Sequence, residues 1–385
     1  MNNKSTVYNF SDIIEHFNID EDDFEIIPFG SGHINDTYLV KSKTGHSPAY
    51  LMQKINKFVF KDIDGLMNNM ARVIVHLKEK IAKTHLGNPE TAVLTLVASK
   101  TGKYYYQDEQ DNYWRITHFL EDTQSYDLVT TEQQAFQGGM AFGSFQNLLS
   151  DLDPATIIDT IPDFLNIEKR INDFNKAIKN DSAGRLKKVL PEVEFLSSWS
   201  TAMNEILILG KAGVLPLRIT HNDTKFNNVL LDRDNNIQCV IDLDTVMPGY
   251  VAYDFGDAIR SIINTAEEDE QDLDAIQLNI PLFRAFTKGY LSQTKSFLTE
   301  PELKSLIKGV LLLPYMQAVR FLTDYLNGDV YYKTHFPEHN LQRASAQIQL
   351  FKLLELSKEE LRDIVKNEWL SLQNSPQAVP SPVAE

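Results

Sequence analysis

Hydrophobic and polar positions follow two regimes along the chain. From residue 24 to 120 the apolar residues come in short β-forming runs. FEIIPFG (Phe24 to Gly30) and DTYLVKS (Asp36 to Ser42), separated by glycine-containing turn residues, predict a hairpin. AYLMQKIN predicts a third strand, and AVLTLVAS (Ala92 to Ser99) and YWRITHFL (Tyr113 to Leu120) predict two more. Between them Ile63, Leu66, Met67, Met70, Val73, Ile74, Leu77 and Ile81 keep three-and-four spacing, which predicts a helix from Asp62 to about Lys83 with one face on the sheet. After the linker-like EDTQSYD the period becomes helical, near 131–149, 165–180, 191–209, 250–264, 279–292, 300–327 and 338–369, and many of these segments open with Ser, Thr, Asp or Pro. Residues 226–242 break that pattern and predict two short strands around the turn Arg233 to Asn236.

The expected architecture is α+β and bilobal. A lobe of five strands and one long helix spans 1–122, a mostly helical lobe spans 123–372, and the Pro- and Ala-rich stretch 373–385, which has no periodicity, is expected to be disordered. No internal repeat is visible.

Charge narrows the partners. Lys and Arg total 37 against 53 Asp and Glu, a net charge of −16, which argues against a nucleic-acid or anionic-membrane partner and requires a metal if a substrate carries phosphates. The single cysteine, Cys239, allows no internal disulfide, and the opening residues lack an apolar secretion core, so a cytoplasmic location is expected. Apolar stretches such as Val310 to Leu313 end well short of the roughly 20 residues that cross a bilayer.

The chemistry concentrates in ITHNDTKFNNVLL (Ile219 to Leu231) and VIDLDT (Val240 to Thr245). Phosphoryl transfer needs a carboxylate to orient and deprotonate the attacking hydroxyl, and metal ions to bridge the phosphates. Asp223, Asn228 five residues later and Asp242 after a hairpin supply those groups in that order, with Asn and Asp oxygens suited to Mg²⁺. The protein-kinase catalytic loop has the same Asp-to-Asn interval and often a Lys two after the Asp, as Lys225 is here, where its ammonium would reach the migrating phosphoryl group. One such polar string is usually a surface turn. Two in the right order, joined by a hairpin and bordered by apolar strand residues, make that explanation poor. His221 reads as a brace of the loop rather than a proton carrier. Asp244, two past Asp242, is expected on the same side of a strand, completing the metal site or holding its water. Asp254 of DFGD reads as a brace or helix N-cap.

GSGHIN (Gly30 to Asn35) lies between two strands, where glycine allows the backbone close to phosphate. A dinucleotide-binding loop would open a helix instead, and no Walker GxxxxGK[ST] occurs. The expected nucleotide-binding positions are Gly30, Ser31 and Gly32, with Gln53 on the third strand and Phe119 and Glu121 where the last strand meets the linker. Gln53 stands where a protein kinase has its strand lysine, and the middle of the following helix, with Asn68, Asn69, Ala71 and Arg72, offers no acidic partner. Phosphate neutralisation then falls to the metal, Lys225 and loop amides.

With GHINDTYLV, LMQKIN, THNDTKFNNVL, VIDLDTVMPG, YDFGDAIR and RFLTDYLNGDVYY in view, the chain resembles the aminoglycoside phosphotransferase and choline kinase superfamily, and within it the bacterial N-acetylhexosamine 1-kinases. The resemblance spans residues from about 26 to 345. It implies a protein-kinase-like fold, ATP as donor, Mg²⁺, and transfer to the anomeric hydroxyl of a free hexosamine. It also implies Asp223 as base, Asn228 and Asp242 as metal ligands, and His33, Asn35, Arg320 and Tyr331 as acceptor contacts. The family also lacks the strand lysine, in keeping with Gln53. Bland roles remain open: Arg320 as an ion pair with Asp324, and Tyr331 with Tyr332 as packing at a helix–turn junction. Ser261 stands where the resemblance implies an aromatic near the sugar, and a smaller residue there would widen the acceptor pocket. Other small hydroxyl acceptors on the same fold, and an idle nucleotide-binding module, are the rival readings; a monomer or simple homodimer is expected.

Overall fold

A computed structural model describes residues 8–30, 34–84 and 87–374. The chain divides into two compact units. One contains the chain up to Ser125 together with Asp151–Phe164 and Val229–Pro248; the other contains Tyr126–Ser150, Leu165–Asn228 and the chain from Gly249 on. The first crossing between the units falls after Ser125. The chain re-enters the sheet unit twice, and hydrogen bonds within that unit hold both segments. Asn69 donates to the Ile158 carbonyl (2.8 Å) and accepts from its N–H (3.1 Å), and Gln124 exchanges backbone bonds with Leu231 at 2.9 Å each way.

In the sheet unit, α1 (Phe10–Glu15) precedes β1 (Phe24–Pro28), β2 (Asp36–Ser42) and β3 (Tyr50–Ile55). Then come α2 (Ile63–Thr84), α3 (Pro89–Ala92), β4 (Leu96–Val97), β5 (Tyr106–Gln107) and β6 (Tyr113–His118). The sheet runs β1-β2-β3-β6-β4 with antiparallel neighbours, and β5 adds to β6, so there are six strands among the described residues rather than five. The fourth strand is shorter than its apolar run because Asn88 accepts from the Glu90 N–H and Pro89 opens α3, drawing the start of that run into a helical turn. All eight apolar residues that predict α2 are buried. The sequence did not announce α1, which is too short to show a period. Its Ile13 and Ile14, with Phe17, pack against Val40, Tyr50, Met52, Val97, Trp114 and Ile116, giving the sheet a covered face.

The second unit is helical: α4 (Glu132–Leu148), α5 (Ile167–Asn180), α6 (Leu190–Met203), α7 (Glu205–Lys211), α8 (Val251–Ile262), α9 (Ile280–Thr294), α10 (Glu300–Asn327), α11 (His339–Leu356) and α12 (Lys358–Asn374). Two predicted helices are each broken once. Asn204 turns its amide back onto the Ser200 carbonyl (2.9 Å), and Ser357 separates α11 from α12. The long α10 starts with a capping box between Thr299 and Glu302, carries Pro314 within it, and ends at Gly328 in the left-handed conformation. Among the described helices it alone is long and apolar enough by length and composition to cross a membrane, but 78% of its most apolar window is buried inside the protein.

Glycine sets the distance between α8 and α10. A Cβ on Gly309 would lie 1.9 Å from the Ala252 carbonyl oxygen, and one on Gly256 would lie 2.3 Å from the Gly309 oxygen. Both clashes are with backbone, so neither side chain can yield. Gly309→Ala is expected to cost about 1–3 kcal/mol by overpacking, read as a fall of about 2–4 °C per kcal/mol in the thermal midpoint. An unchanged midpoint would show that the helices can part without cost.

Candidate active site

The helical unit builds the loop that carries Asp223. The short strand Arg218–Thr220 leads to His221, whose buried ring meets the rings of Phe142 and Phe145 on α4 edge-on at 5.8 and 5.6 Å. Asn222 then takes φ +63°, a left-handed conformation that Asn tolerates better than most residues. The loop is held from α8. Asp254 accepts the His221 N–H at Oδ2 (2.8 Å), the Asn222 N–H at Oδ1 (2.7 Å) and the Gln146 Nε2 (2.7 Å). One turn on, Asp257 accepts the Thr224 N–H (3.1 Å), and Arg260 bonds Asp257 (3.0 Å) and Glu268 (3.0 Å). The i, i+3 spacing of the two carboxylates in YDFGD puts both on one face of α8. The His221 backbone is held by Asp254 and its ring packs between two phenylalanines. Asp254 is a brace but not a cap, since the residue before α8 is Tyr250.

Held this way, the Asp223 side chain keeps a quarter of its surface accessible. Asn228 Nδ2 donates to the Asp223 carbonyl (2.9 Å) and carboxylate (3.3 Å), and Lys225 Nζ lies 3.5 Å from Asp223 Oδ1. Burial works against the charge on Asp223, but Lys225, His221 and Arg260 outweigh it and hold the carboxyl below its ordinary range. Asp223 in turn raises the affinity of Lys225 for its proton.

The sheet unit carries Asp242. The hairpin strands Val229–Leu231 and Ile237–Val240 run into Asp242 at φ +59°, and residues 243–245 form a 3₁₀ turn. This corrects the expectation that Asp242 and Asp244 share one side of a strand: the backbone there is not extended, and the two residues part. Asp242 is exposed, whereas Asp244 is buried and accepts both terminal nitrogens of Arg115, Nη2 at 2.9 Å, as well as Asn35 Nδ2 at 2.7 Å. Arg115 Nε donates to Gln53 (2.9 Å), its register partner across β3 and β6, and Gln53 donates to Thr37 (3.1 Å). The Asn35 oxygen accepts the Asn56 N–H (3.0 Å). Asp244, Asn35 and Gln53, expected to touch metal, acceptor and nucleotide respectively, are therefore occupied by one another and by Arg115. No motif points to Arg115, because only strand pairing brings it beside Gln53.

Elsewhere in the sheet unit Gly30 takes φ +78°, and Phe29 meets Phe119 edge-to-face at 5.5 Å; Glu121 is exposed. Ser31, Gly32 and His33 lie outside the described residues. In the helical unit Arg320 bonds Gln317 (2.9 Å), and its guanidinium lies 5.6 Å from the Tyr332 ring centre. Tyr331 is 68% exposed and packs edge-on against Tyr332 at 4.8 Å. Asp324 accepts the N–H groups of Val330, Tyr331 and Tyr332 at 2.8 to 2.9 Å and so shapes the loop after α10. Arg170 of α5, which the sequence did not single out, joins this group: burial lowers its proton affinity and the Arg320 charge adds to the effect. Ser261 is half-buried and donates to the Ala258 carbonyl (3.0 Å).

A carboxylate loop clamped by a helix, followed by a hairpin and a second acidic turn, belongs to the kinase-like phosphotransferases. The chain belongs to the phosphotransferase enzyme family, whose model matches residues 25–287. Its fold is similar to an aminoglycoside phosphotransferase from Alicyclobacillus acidocaldarius (TM-score 0.60, 12% identity, 93% of this chain and 96% of that one). It is also similar to a spectinomycin phosphotransferase solved with ADP and spectinomycin (0.53, 13%, 93% and 96%) and to a choline kinase from Cryptosporidium parvum (0.51, 17%, 90% and 93%).

Proposed function

We propose that the protein transfers the γ-phosphoryl group of ATP to the anomeric hydroxyl of a free N-acetylhexosamine. The observation that carries the phosphoryl-transfer reading is the clamped Asp223, accessible, ionised and beside Lys225. In this reading Asp223 accepts the proton of the attacking hydroxyl as that oxygen moves in line on the γ-phosphorus, and Lys225 offsets charge on the migrating group. No covalent enzyme intermediate is required. Asn228 and Asp242 are the residues assigned to Mg²⁺. Their chemistry fits, since one offers a neutral amide oxygen and the other an exposed carboxylate. The ion, when bound, neutralises phosphate charge, which matters in a chain of net charge −16. Phe29 and Phe119 supply apolar ring faces for a nucleobase.

The acceptor assignment rests on Arg320, Tyr331 and Tyr332 with Arg170 beside them. Two guanidinium groups and phenols donate to the hydroxyls and N-acetyl carbonyl of a neutral sugar, and they repel a cationic amino alcohol or aminoglycoside. His33, by the resemblance alone, adds a further contact.

Phosphorus NMR of the product from a panel of free sugars tests the reading. A phosphate coupled to the anomeric proton of the N-acetylhexosamine products is expected. A product phosphorylated on a primary hydroxyl, or turnover only with aminoglycosides or choline, would refute the 1-kinase assignment.

A further inference from the structure

The sheet unit buries a cation that the strand pattern does not announce. Arg115 and Asp244 are 3% and 2% exposed, and the fork between them is the only ion pair among the described residues with both side chains so deeply buried apart from Arg260 with Asp257. Isolated, such a pair contributes little to stability, because desolvation offsets the attraction. Its neighbours suggest another use. Asp244 lies two residues past Asp242 on a turn that Thr160 also holds, through its hydroxyl to the Asp244 carbonyl (2.8 Å). Asn35, at the start of β2, adds a third grip on Asp244, and Gln53 fixes Arg115 from β3. Arg115 of β6 and Asn35 thus meet on one carboxylate, with Gln53 of β3 behind Arg115 and Thr160 of the 151–164 segment on the backbone of the same residue, next to an exposed, left-handed Asp242.

We propose that Arg115 is a positioning residue for the nucleotide-bound metal: by forking onto Asp244 it fixes the turn that presents Asp242. Asp244 is then the anchor of the turn and not a ligand. The inference rests on the reading of Asp242 given above.

Three variants and two ligands test it. Arg115→Met with Asp244→Leu replaces both charges by apolar groups, a change that buried pairs often tolerate. Asn35→Ala removes only the outer grip. Calorimetry with Mn²⁺·ADP reports the metal-dependent site, and calorimetry with adenosine, which has no phosphate for the metal to bridge, reports the rest of the nucleotide pocket. The double variant is expected to bind Mn²⁺·ADP about 10- to 100-fold more weakly, Asn35→Ala several-fold more weakly, and both to bind adenosine as wild type does. Mn²⁺·ADP affinity unchanged in Asn35→Ala and in any folded double variant would overturn the proposal. So would tighter Mn²⁺·ADP binding by Arg115→Met alone, the result expected if Asp244 were a ligand freed from its partner. Wild type that binds adenosine but gains nothing from Mn²⁺ with ADP would instead sink the metal reading of Asp242.

Discussion

Asp223→Asn is expected to lower kcat by about 100- to 10,000-fold, the range that a positioned general base contributes, with nucleotide affinity nearly unchanged. Asparagine keeps the shape and still accepts from Asn228, so the clamp on the loop is undisturbed. The ability to take a proton is lost, and with it the negative charge beside Lys225. A variant turning over at the wild-type rate would remove the base from the mechanism. The pH profile offers an independent check on the same group. Burial opposes ionisation of Asp223, and Lys225, His221 and Arg260 overcome it, so its folded value lies below the ordinary Asp value of about 3.9. Any stability it adds is therefore complete above that ordinary value and is lost only as pH falls through the depressed one. The acid limb of kcat/KM that belongs to Asp223 should likewise lie below the ordinary range. Lys225→Met removes the strongest of the influences that lower it and should move that limb upward, so that activity at about pH 5 falls further, relative to neutral pH, than in wild type. A limb that stays in place would show that Lys225 does not set the charge on the base.

What the chain announces in sequence is what local physics decides. The three-and-four spacing from Ile63 to Ile81 can be satisfied only by a helix with one buried face, and all eight of those residues are buried. The order Asp223, Asn228, hairpin, Asp242 is visible because the groups proposed for the site lie on one loop and one turn a short interval apart in the chain. What stayed hidden depends on pairing across distance. Arg115 and Gln53 are 62 residues apart and meet only because β3 and β6 are in register at those positions. Asn69 lacks the charge expected at the middle of α2, yet it is buried there to hold Ile158, a partner 89 residues away. Asp244 departs from strand alternation for a different reason. Alternation along a strand assumes extended backbone, and the left-handed Asp242 ends the strand before the rule applies.

The α8 clamp carries the other large expected effect. Asp254→Ala would leave the His221 N–H, the Asn222 N–H and the Gln146 amide without their acceptor in a buried site. At about 1–3 kcal/mol for each unsatisfied donor, the loss approaches the whole stability of a domain, about 5–15 kcal/mol, and little folded protein is expected at 37 °C. Asp254→Asn is the informative change. It preserves volume, but its amide has one oxygen and sets an NH₂ group against one of the two backbone N–H groups, so the His221–Asn222 turn can keep only one of its two bonds. A lower thermal midpoint and a fall in kcat of more than tenfold should appear together, because the left-handed Asn222 that turns the chain into Asp223 depends on the lost bond. Adenosine binding, which owes nothing to this turn, should survive. If Asp254→Asn lowers the midpoint but leaves kcat at the wild-type level, the Asp254 bonds serve only the stability of the helical unit, and the geometry of Asp223 must be set by Asp257, Asn228 and Lys225.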